Sequence, residues 1–331
     1  MGDGMLRRVR SSVAAAAFIS LLFTGAATTL REAPASAQSL TVIRVASTAD
    51  DDDTAILYGI QSGAFQRAGL DVQFQTLSSG SAIAAAVVGG SVDIGKSGTV
   101  TLVNAYAHGV PITVVAPAAV YDTTESSITE IVVAADTSIH TAKELNGANI
   151  AVATLRGLQQ ICISGWVDKH GGDSKSLHFL DVPLGAMRAA IDNHRVTAGM
   201  MSYPELADAL ASGEVRVLGH ASEGIANHFL GTAWFSSRDW TRAHPAAVAV
   251  FAQVLRSSAT YVNAHHAETI PMMAAFTGIS AARFEGMPRE LAGTTLDAAD
   301  LQPVIDAAAR YDTIDKTFPA SALIFSASGT R

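Results

Sequence analysis

The sequence is poor in several kinds of residue, and each shortage narrows what the chain can be. Cys162 is the one cysteine among 331 residues, so a disulfide framework is excluded and stability must come from an apolar core. Charged residues make up 16% of the chain, and the 22 Lys and Arg are outnumbered by the 30 Asp and Glu. The formal net charge of −8 argues against nucleic acid or anionic lipid as the main partner. Hydrophobic residues are abundant, at 49%, which is enough for one or two domains with a large core.

The N-terminus has the three-part layout of a secretory signal peptide. A basic cluster over residues 7–10 precedes an apolar run over residues 13–23 and a small-residue segment that ends at Ala37. The apolar run is shorter than the roughly 20 residues that a bilayer span needs, so a retained membrane anchor is the weaker interpretation. We expect removal of residues 1–37, with cleavage before Gln38. The mature protein is then expected to be periplasmic, monomeric and not inserted in the membrane. The export route, general or twin-arginine, stays open.

Strand-like and helix-like segments alternate along the chain, which predicts an α/β organisation with parallel strands. The segment from residue 245 onward has a largely helical pattern. The predicted strands cover residues 41–46, 70–74, 92–94, 112–116, 150–152, 196–200 and 215–218.

Residues 90–97 read GSVDIGKS and match the phosphate-binding pattern G-x-x-x-x-G-K-[ST]. That pattern needs a strand before its first glycine and flexible backbone between the glycines. Here a predicted helix precedes Gly90, and Val92 and Ile94 give the intervening residues strand character. Lys96 is expected in the loop after that strand, too late for a phosphate loop. We therefore interpret the match as an accident of composition.

Several blocks of sequence follow one another in a characteristic order. Residues 59–72 read GIQSGAFQRAGLDV, residues 84–95 read AAAVVGGSVDIG, and residues 109–115 read GVPITVV. Residues 131–152 read IVVAADTSIHTAKELNGANIAV, and a strand–helix pattern follows at residues 235–245. In this order the blocks resemble the nitrate/sulfonate/taurine-type substrate-binding proteins of ABC importers, a family that also contains thiamine-pyrimidine-synthase-like proteins.

The resemblance extends over roughly residues 41–265 and implies an α/β fold of the two-lobed periplasmic-binding-protein type (type II). Two doubly wound sheets would be joined by two crossing strands, at residues 131–135 and 230–235. Lobe I would comprise residues 38–126 and 232–331, including the C-terminal helices, and lobe II residues 127–231. The implied function is capture of a small molecule in the periplasm and its delivery to an ABC permease, without catalysis.

Turns rich in hydroxyl residues and glycine predict where the ligand binds. In doubly wound sheets, ligands lie beyond the carboxyl ends of the strands, where helix N-termini offer free amides and small residues allow close approach. The same residue types also cap helices, which is the alternative explanation for each turn by itself. The predicted ligand-binding residues are Ser47, Thr48, Asp50, Ser79, Gly80, Ser97, Thr99, Tyr121, Thr154, Arg156, Gly157, Ser202 and Tyr203.

These residues favour a small organic anion of the sulfonate, taurine or carboxylate type as the ligand. Its oxyanion is expected between Ser97, Thr99 and the turn at residues 154–157, with Arg156 adding a charge-assisted bond. Tyr121 and the tyrosine of the second lobe would flank a flat organic body. The acidic run at residues 50–53 is expected to face solvent at a helix N-terminus.

Several alternatives stay open at the level of sequence. The acidic run would instead suit a cationic or amine-bearing ligand. A sensor-associated binding protein with a cationic or pyrimidine ligand, or a lyase or synthase on the same fold, would carry the same motifs. No cofactor or metal site is predicted, because no HExxH motif occurs and Cys162 lies in an apolar helical stretch that favours a buried structural thiol.

Overall fold

The computed structural model describes residues 40–125 and 128–326, so the predicted signal peptide lies outside the described residues. Within these ranges the chain forms eleven β-strands and twelve α-helices. The strands are β1 (Thr41–Ser47), β2 (Leu70–Thr76), β3 (Ile94–Gly98), β4 (Ile112–Asp122), β5 (Thr129–Ala134), β6 (Asn149–Val152), β7 (His178–Asp181), β8 (Ala198–Ser202), β9 (Val215–His220), β10 (His228–Ser237) and β11 (Leu291–Ala292). The helices are α1 (Thr54–Gln61), α2 (Ala64–Arg67), α3 (Gly80–Val88), α4 (Thr99–Ala107), α5 (Leu158–Lys169), α6 (Leu184–Asp192), α7 (Glu205–Ser212), α8 (Arg238–Ala243), α9 (Pro245–Ala264), α10 (His266–Thr277), α11 (Ala281–Glu285) and α12 (Ala298–Arg310).

The strands form two sheets, which confirms the predicted α/β class. The first sheet has the order β11-β4-β10-β3-β1-β2, and the second has the order β7-β6-β8-β5-β9. β1 is parallel to β2 and β3, and β6 is parallel to β7 and β8, as the alternating pattern predicts. β10 runs antiparallel to β3 and β4, and β5 runs antiparallel to β8 and β9. Both sheets are therefore mixed. Their long antiparallel strands, β5 and β10, are the strands that follow the two connections between the sheets.

Each sheet is covered by helices on both faces. In the first sheet, one face packs against α3, α4 and α12, and the other packs against α1, α2 and α9. In the second sheet, α5 covers one face, and α6 and α7 cover the other. Burial on both faces explains the continuous apolar runs of β4 and β5, because a strand inside a two-sided core has no solvent face. None of the helices in the described ranges combines the length and the apolar character needed to cross a bilayer.

The chain passes between the sheets twice, after β4 and after β9. Residues 131–135 and 230–235, predicted to cross between lobes, instead lie almost entirely within β5 and β10, each of which pairs within one sheet. The connections run just before these strands, between Asp122 and Thr129 and between His220 and His228. The assignment of residues to two lobes stays a prediction.

Candidate functional site

The carboxyl ends of β1, β3 and β4 and the beginning of β10 lie along one edge of the first sheet, hereafter the ligand edge. Helices α3 and α4 begin near this edge, after β2 and β3. The free amides of such helix ends attract anions. Most of the residues predicted from strand ends in the first sheet lie here.

The acidic run does not face solvent as predicted. Asp51 to Asp53 form a single 3-10 turn in which the side chain of Asp52 is 3% exposed and that of Asp53 is 0% exposed. The side chain of Asp51 is 12% exposed, and only Asp50 is open to solvent, at 57%. The prediction failed because two cations from distant parts of the chain reach these carboxylates.

The first cation is Lys96, which is 2% exposed inside β3. The prediction that placed it in a loop is wrong, because β3 is bonded on both sides, by β1 and β10, and continues to Gly98. Its Nζ lies 3.0 Å from Asp53 Oδ1 and 3.8 Å from Asp50 Oδ2, and it also bonds Asp52 Oδ1. The helix α3 precedes Gly90, so the phosphate-loop arrangement of strand before glycine is absent from this described segment.

Burial shifts the acid–base equilibria of this ion pair. Burial lowers the pKa of Lys96 to about 8, so the ammonium stays charged at pH 7. Burial raises the pKa of Asp53 well above its usual range, although Ser47 Oγ donates a 2.6 Å hydrogen bond to its Oδ1. Thr232 Oγ1 donates to Asp52 Oδ2 at 2.6 Å.

The second cation is Arg289, which comes from the loop before β11. Its Nε lies 2.9 Å from both carboxylate oxygens of Asp51, and its guanidinium packs over the ring of Phe284 at 4.8 Å. The backbone amide of Glu290 donates to Asp51 Oδ2 at 2.9 Å. Burial and the neighbouring Asp51 raise the pKa of the half-buried Glu290 to about 8.

Ser97, also in β3, lies against the first turn of α3. Its side chain is 4% exposed, and its Oγ has no hydrogen-bond partner among the described residues. A Cβ on Gly80 would lie 3.3 Å from the Cβ of Ser97, so the glycine allows the helix end to approach the serine. Ser79 caps the helix by accepting from the amide of Ala82 at 3.2 Å, which leaves the amides of Gly80 and Ser81 for an external acceptor.

Thr99 and Tyr121 meet at the beginning of β10. Thr99 Oγ1 donates to the carbonyls of Leu230, at 2.7 Å, and Gly231, at 3.0 Å, so its hydroxyl proton is already used. The ring of Tyr121 packs edge-on against Phe229, with 5.2 Å between the centroids. A Cβ on Gly231 would lie 2.9 Å from this ring. Burial raises the pKa of Tyr121 well above its usual range, so the phenol stays neutral.

The remaining residues of the first-sheet group lie at the end of β1. Ser47 is fully buried and bound to Asp53, whereas Thr48 Oγ1 donates to the exposed Asp50. The structure therefore brings Ser47, Thr48 and Asp50 together around Lys96.

The second-sheet residues belong to two turns. Thr154, Arg156 and Gly157 precede α5, and Arg156 has a φ of 59°. The side chain of Gln160 accepts from the amide of Arg156 at 2.8 Å, so that amide is not free for a ligand. Thr313 Oγ1 donates to the carbonyl of Arg156 at 3.1 Å, which ties this turn to the segment after α12.

Ser202 is the last residue of β8, and Tyr203 begins the second turn, directly after it. Tyr203 packs against the core beneath α6 and α7 and donates its amide to the carbonyl of Ile128 at 3.1 Å. Arg283 of α11 bonds the carbonyl of Pro204 in this turn at 3.3 Å.

Sequence reasoning missed Lys96, Arg289, Glu290 and Thr232. A signal existed for Lys96, because a lysine within an apolar strand is rarely buried without an acid, and an unexplained acidic run preceded it. No local pattern marks Arg289, which is separated from Asp51 by 238 residues.

Cys162 is fully buried in α5, as predicted, and burial raises the pKa of its thiol to about 12. In the described ranges, no three His, Cys, Asp or Glu side chains are placed so that they could hold a metal ion.

Comparison with known proteins identifies a sequence family and similar folds. The sequence model of the NMT1/THI5-like family matches residues 51–269. No curated protein matches the sequence.

Among solved structures, the chain is similar to the periplasmic aliphatic sulphonate-binding protein SsuA from Escherichia coli. The two are 16% identical with a TM-score of 0.71, over 88% of this chain and 94% of that chain. For the alkanesulfonate-binding protein SsuA from Xanthomonas axonopodis, bound to MOPS, the identity is 19% and the TM-score 0.67, over 86% and 98%. For the periplasmic nitrate-binding protein NrtA from Synechocystis, these values are 14% and 0.63, over 88% and 92%. The predicted periplasmic-binding-protein fold is thereby confirmed.

Proposed function

Because the chain belongs to the NMT1/THI5-like family, we propose that it is a periplasmic solute-binding protein that captures a small organic anion and delivers it to an ABC importer. Similarity in fold to binding proteins for sulfonates and nitrate supports solute binding. The sulfonate, taurine or carboxylate class of ligand is our finer proposal, together with the permease partner and the periplasmic location.

One observation carries the choice of an anion. Ser97 Oγ is buried and has no partner in the described part of the chain, and it lies beside the first turn of α3. A buried hydroxyl without a partner is destabilising, and a ligand oxygen that accepts its proton would offset that cost. The free amides of Gly80 and Ser81 at the same helix end would donate to that oxygen.

The turn at residues 154–157 is a weaker oxyanion site than α3. Gln159 Oε1 accepts from the amide of Ala153 at 2.6 Å, and Gln160 does the same for Arg156. The exposed side chain of Arg156 remains available as a charged contact for a ligand. We therefore propose that the oxyanion binds between Ser97 and α3, with Arg156 approaching from the second sheet on closure.

A thermal-shift screen of the mature protein tests this proposal. Alkanesulfonates and small carboxylates should raise the melting temperature, with a shift that grows with ligand concentration. Ser97→Ala should reduce the shift, whereas the exposed Ser91→Ala should leave it unchanged. If only amines that lack an acid group stabilise the protein, and Asp50→Asn abolishes their effect, the anion proposal is wrong.

Transport and catalysis are tested with the anion that gives the largest shift. Deleting the gene should abolish uptake of that compound by the cell, and the purified protein should release it chemically unchanged. Conversion of the bound compound by the protein would instead support a lyase or synthase on this fold.

A further inference from the structure

The carboxyl group of Glu290 has no hydrogen bond or ion pair with any described residue, although it lies in a crowded ionic cluster. The nearby acids do have partners. Asp51 is bound by Arg289, Asp52 and Asp53 by Lys96, and Asp50 by Thr48. Both cations of the cluster are therefore already engaged by aspartates. Glu290 is left half-buried and forms no ion pair with a described residue, because the nearby Lys96 and Arg289 are bound to aspartates.

Strand pairing places Glu290 beside Tyr121. In the antiparallel pair of β11 and β4, Leu291 is opposite Val120 and Ala292 is opposite Ala119. The residue before Leu291 thus lies next to Tyr121 in the neighbouring strand. The bond from the Glu290 amide to Asp51 fixes the backbone at this point.

The phenol of Tyr121 is likewise without a hydrogen-bond partner in the part of the chain that the structure describes. Its ring is fixed between Phe229 and the space left by Gly231, so the hydroxyl cannot turn away to find one. The phenol oxygen of Tyr121 and the ionised carboxylate of Glu290 can each accept a hydrogen bond, so together they suit a ligand that donates.

An independent observation indicates that a polar ligand fills this edge of the sheet. Ser97 is buried and unpartnered, and it lies two residues before Thr99. The hydroxyl of Thr99 donates to the carbonyl of Gly231, and Tyr121 packs against Gly231. The three unpartnered groups therefore lie along one sheet edge. Ser97 beside α3 suits an oxyanion, whereas Glu290 within an acidic cluster suits a cation.

Resting on the proposed function, we propose that Glu290 and Tyr121 receive a protonated amine of the ligand, so that the anion bound by this protein also carries an ammonium group. The anionic group of such a ligand would bind beside Ser97 and α3, and its ammonium group would bind beside Glu290 and Tyr121. Glu290 is then a specificity-determining residue that discriminates between amino acids or aminosulfonates and their desamino analogues.

Matched pairs of compounds test this inference by calorimetry on the mature protein. The pairs are taurine with ethanesulfonate, and β-alanine with propionate. The amine-bearing member of a pair should bind at least tenfold more tightly. Glu290→Gln should remove this preference, so that the affinity for the amine-bearing member falls at least tenfold relative to that for the desamino member. Glu285→Gln, an exposed glutamate on α11, is the matched control and should retain the full preference.

Tyr121→Phe provides a second variant, since it removes one hydroxyl without a partner and keeps the ring. It should weaken binding of the amine-bearing compound severalfold relative to that of the desamino compound. Equal affinities within both pairs, or a preference that survives Glu290→Gln, would overturn the inference while the proposed function stands. Binding of none of the four compounds would count against the proposed function as well.

The pH dependence of binding gives a readout that a structural role for Glu290 would not produce. Burial raises the pKa of Glu290 to about 8, with Asp51 and Asp50 raising it further and Lys96 and Arg289 opposing them. A cation binds the ionised carboxylate, so affinity for taurine should rise from pH 6 to pH 8, by up to about tenfold per unit, and then level off. Glu290→Gln should flatten this profile, and a wild-type affinity independent of pH would contradict the assignment.

Discussion

Ser97 and Thr99 are two buried hydroxyl residues at the end of β3 with opposite roles. Removing the unpartnered hydroxyl of Ser97 should leave the free energy of unfolding unchanged or raise it by up to about 1 kcal/mol, because a buried group without a partner is lost. Thr99→Val should lower it by about 1–3 kcal/mol, because the carbonyls of Leu230 and Gly231 lose their donor. Urea unfolding of both ligand-free variants decides this, and a Ser97→Ala variant as unstable as Thr99→Val would contradict it.

Lys96 is the residue on which the acidic turn depends. Lys96→Met should lower the free energy of unfolding by about 3–5 kcal/mol, because Asp52 and Asp53 remain buried without their cation. Arg188→Met removes the exposed pair with Glu214, whose side chains are 47% and 40% exposed, and should cost at most about 1 kcal/mol. Chemical denaturation at pH 7 measures both, and similar losses for the two variants would show that the buried pair is not what stabilises the turn.

At the scale of elements, α5 packs directly on the backbone of the 3-10 turn after β9. A Cβ on Gly165 would lie 2.7 Å from the carbonyl carbon of Gly224, a contact with backbone that cannot rotate away. Gly165→Ala should therefore destabilise the protein by about 1–3 kcal/mol, although alanine is the better helix former. Gly185 of α6 has open space around its Cβ position, and Gly185→Ala should instead stabilise by up to about 1 kcal/mol. Thermal unfolding distinguishes the two, and a stabilising Gly165→Ala would refute the packing argument.

Most elements of the fold could be predicted from local patterns, for identifiable reasons. β1, β2, β4, β6, β8 and β9 overlap predicted strands, because each contains apolar residues, in a run or in alternation with polar residues, between turn signals. β7 was missed because it is an edge strand with mostly exposed side chains, so it carries no apolar pattern. β3 was predicted at residues 92–94, before its actual position, because a lysine at position 96 suggests an exposed loop and the local sequence does not indicate its acidic partners.

The candidate site was less predictable than the elements, because its key contacts join distant segments. The thirteen predicted ligand-binding residues lie at or near the ends of predicted strands, and strand ends can be identified from local sequence. Arg289 and Glu290 reach the ligand edge only through the pairing of the two-residue strand β11 with β4. Such a short pairing leaves no periodic signal in the sequence.

At the scale of the whole molecule, the two connections between the sheets begin and end at paired acids and histidines. Asp122 is opposite His228, with 2.9 Å between Oδ2 and Nδ1, and Glu130 is opposite His220 at 3.0 Å. Bonds from Thr124 and then from His228 lower the pKa of Asp122 to about 2. A lowered carboxyl pKa stabilises the fold above pH 4, and this contribution is lost as the pH falls towards 2.

Asp122→Asn should therefore lower the free energy of unfolding by about 1–2 kcal/mol at pH 7 and have little effect at pH 2. Urea unfolding across this pH range provides the measurement. Asp239→Asn, at a side chain that is 93% exposed, is the control and should change stability little at either pH. A cost of Asp122→Asn that does not vary with pH would contradict the role of ionisation.

Arg283 links the helices beside the first sheet to the turn and helix that follow β8 of the second sheet. It belongs to α11, which packs with α10 and α1 beside the first sheet, and it bonds Asp208 of α7 at 2.7 Å and the carbonyl of Pro204 at 3.3 Å. We propose that the two sheets move as lobes and that this contact is made in the closed form and broken in the open form. Apparent affinity follows the population of the closed form, and an exposed ion pair contributes up to about 1 kcal/mol.

Arg283→Ala should therefore raise the Kd of the anion found by thermal shift about two- to fivefold, while the free energy of unfolding stays nearly constant. Arg242→Ala is the matched control, because it breaks an exposed ion pair with Asp239 inside α8 and bridges nothing. The difference in Kd between the two variants should shrink in about 0.5 M salt, because exposed charges are strongly screened at that ionic strength. Calorimetry at both salt concentrations measures this, and identical Kd values for the two variants at low salt would mean that the Arg283 contact does not depend on closure.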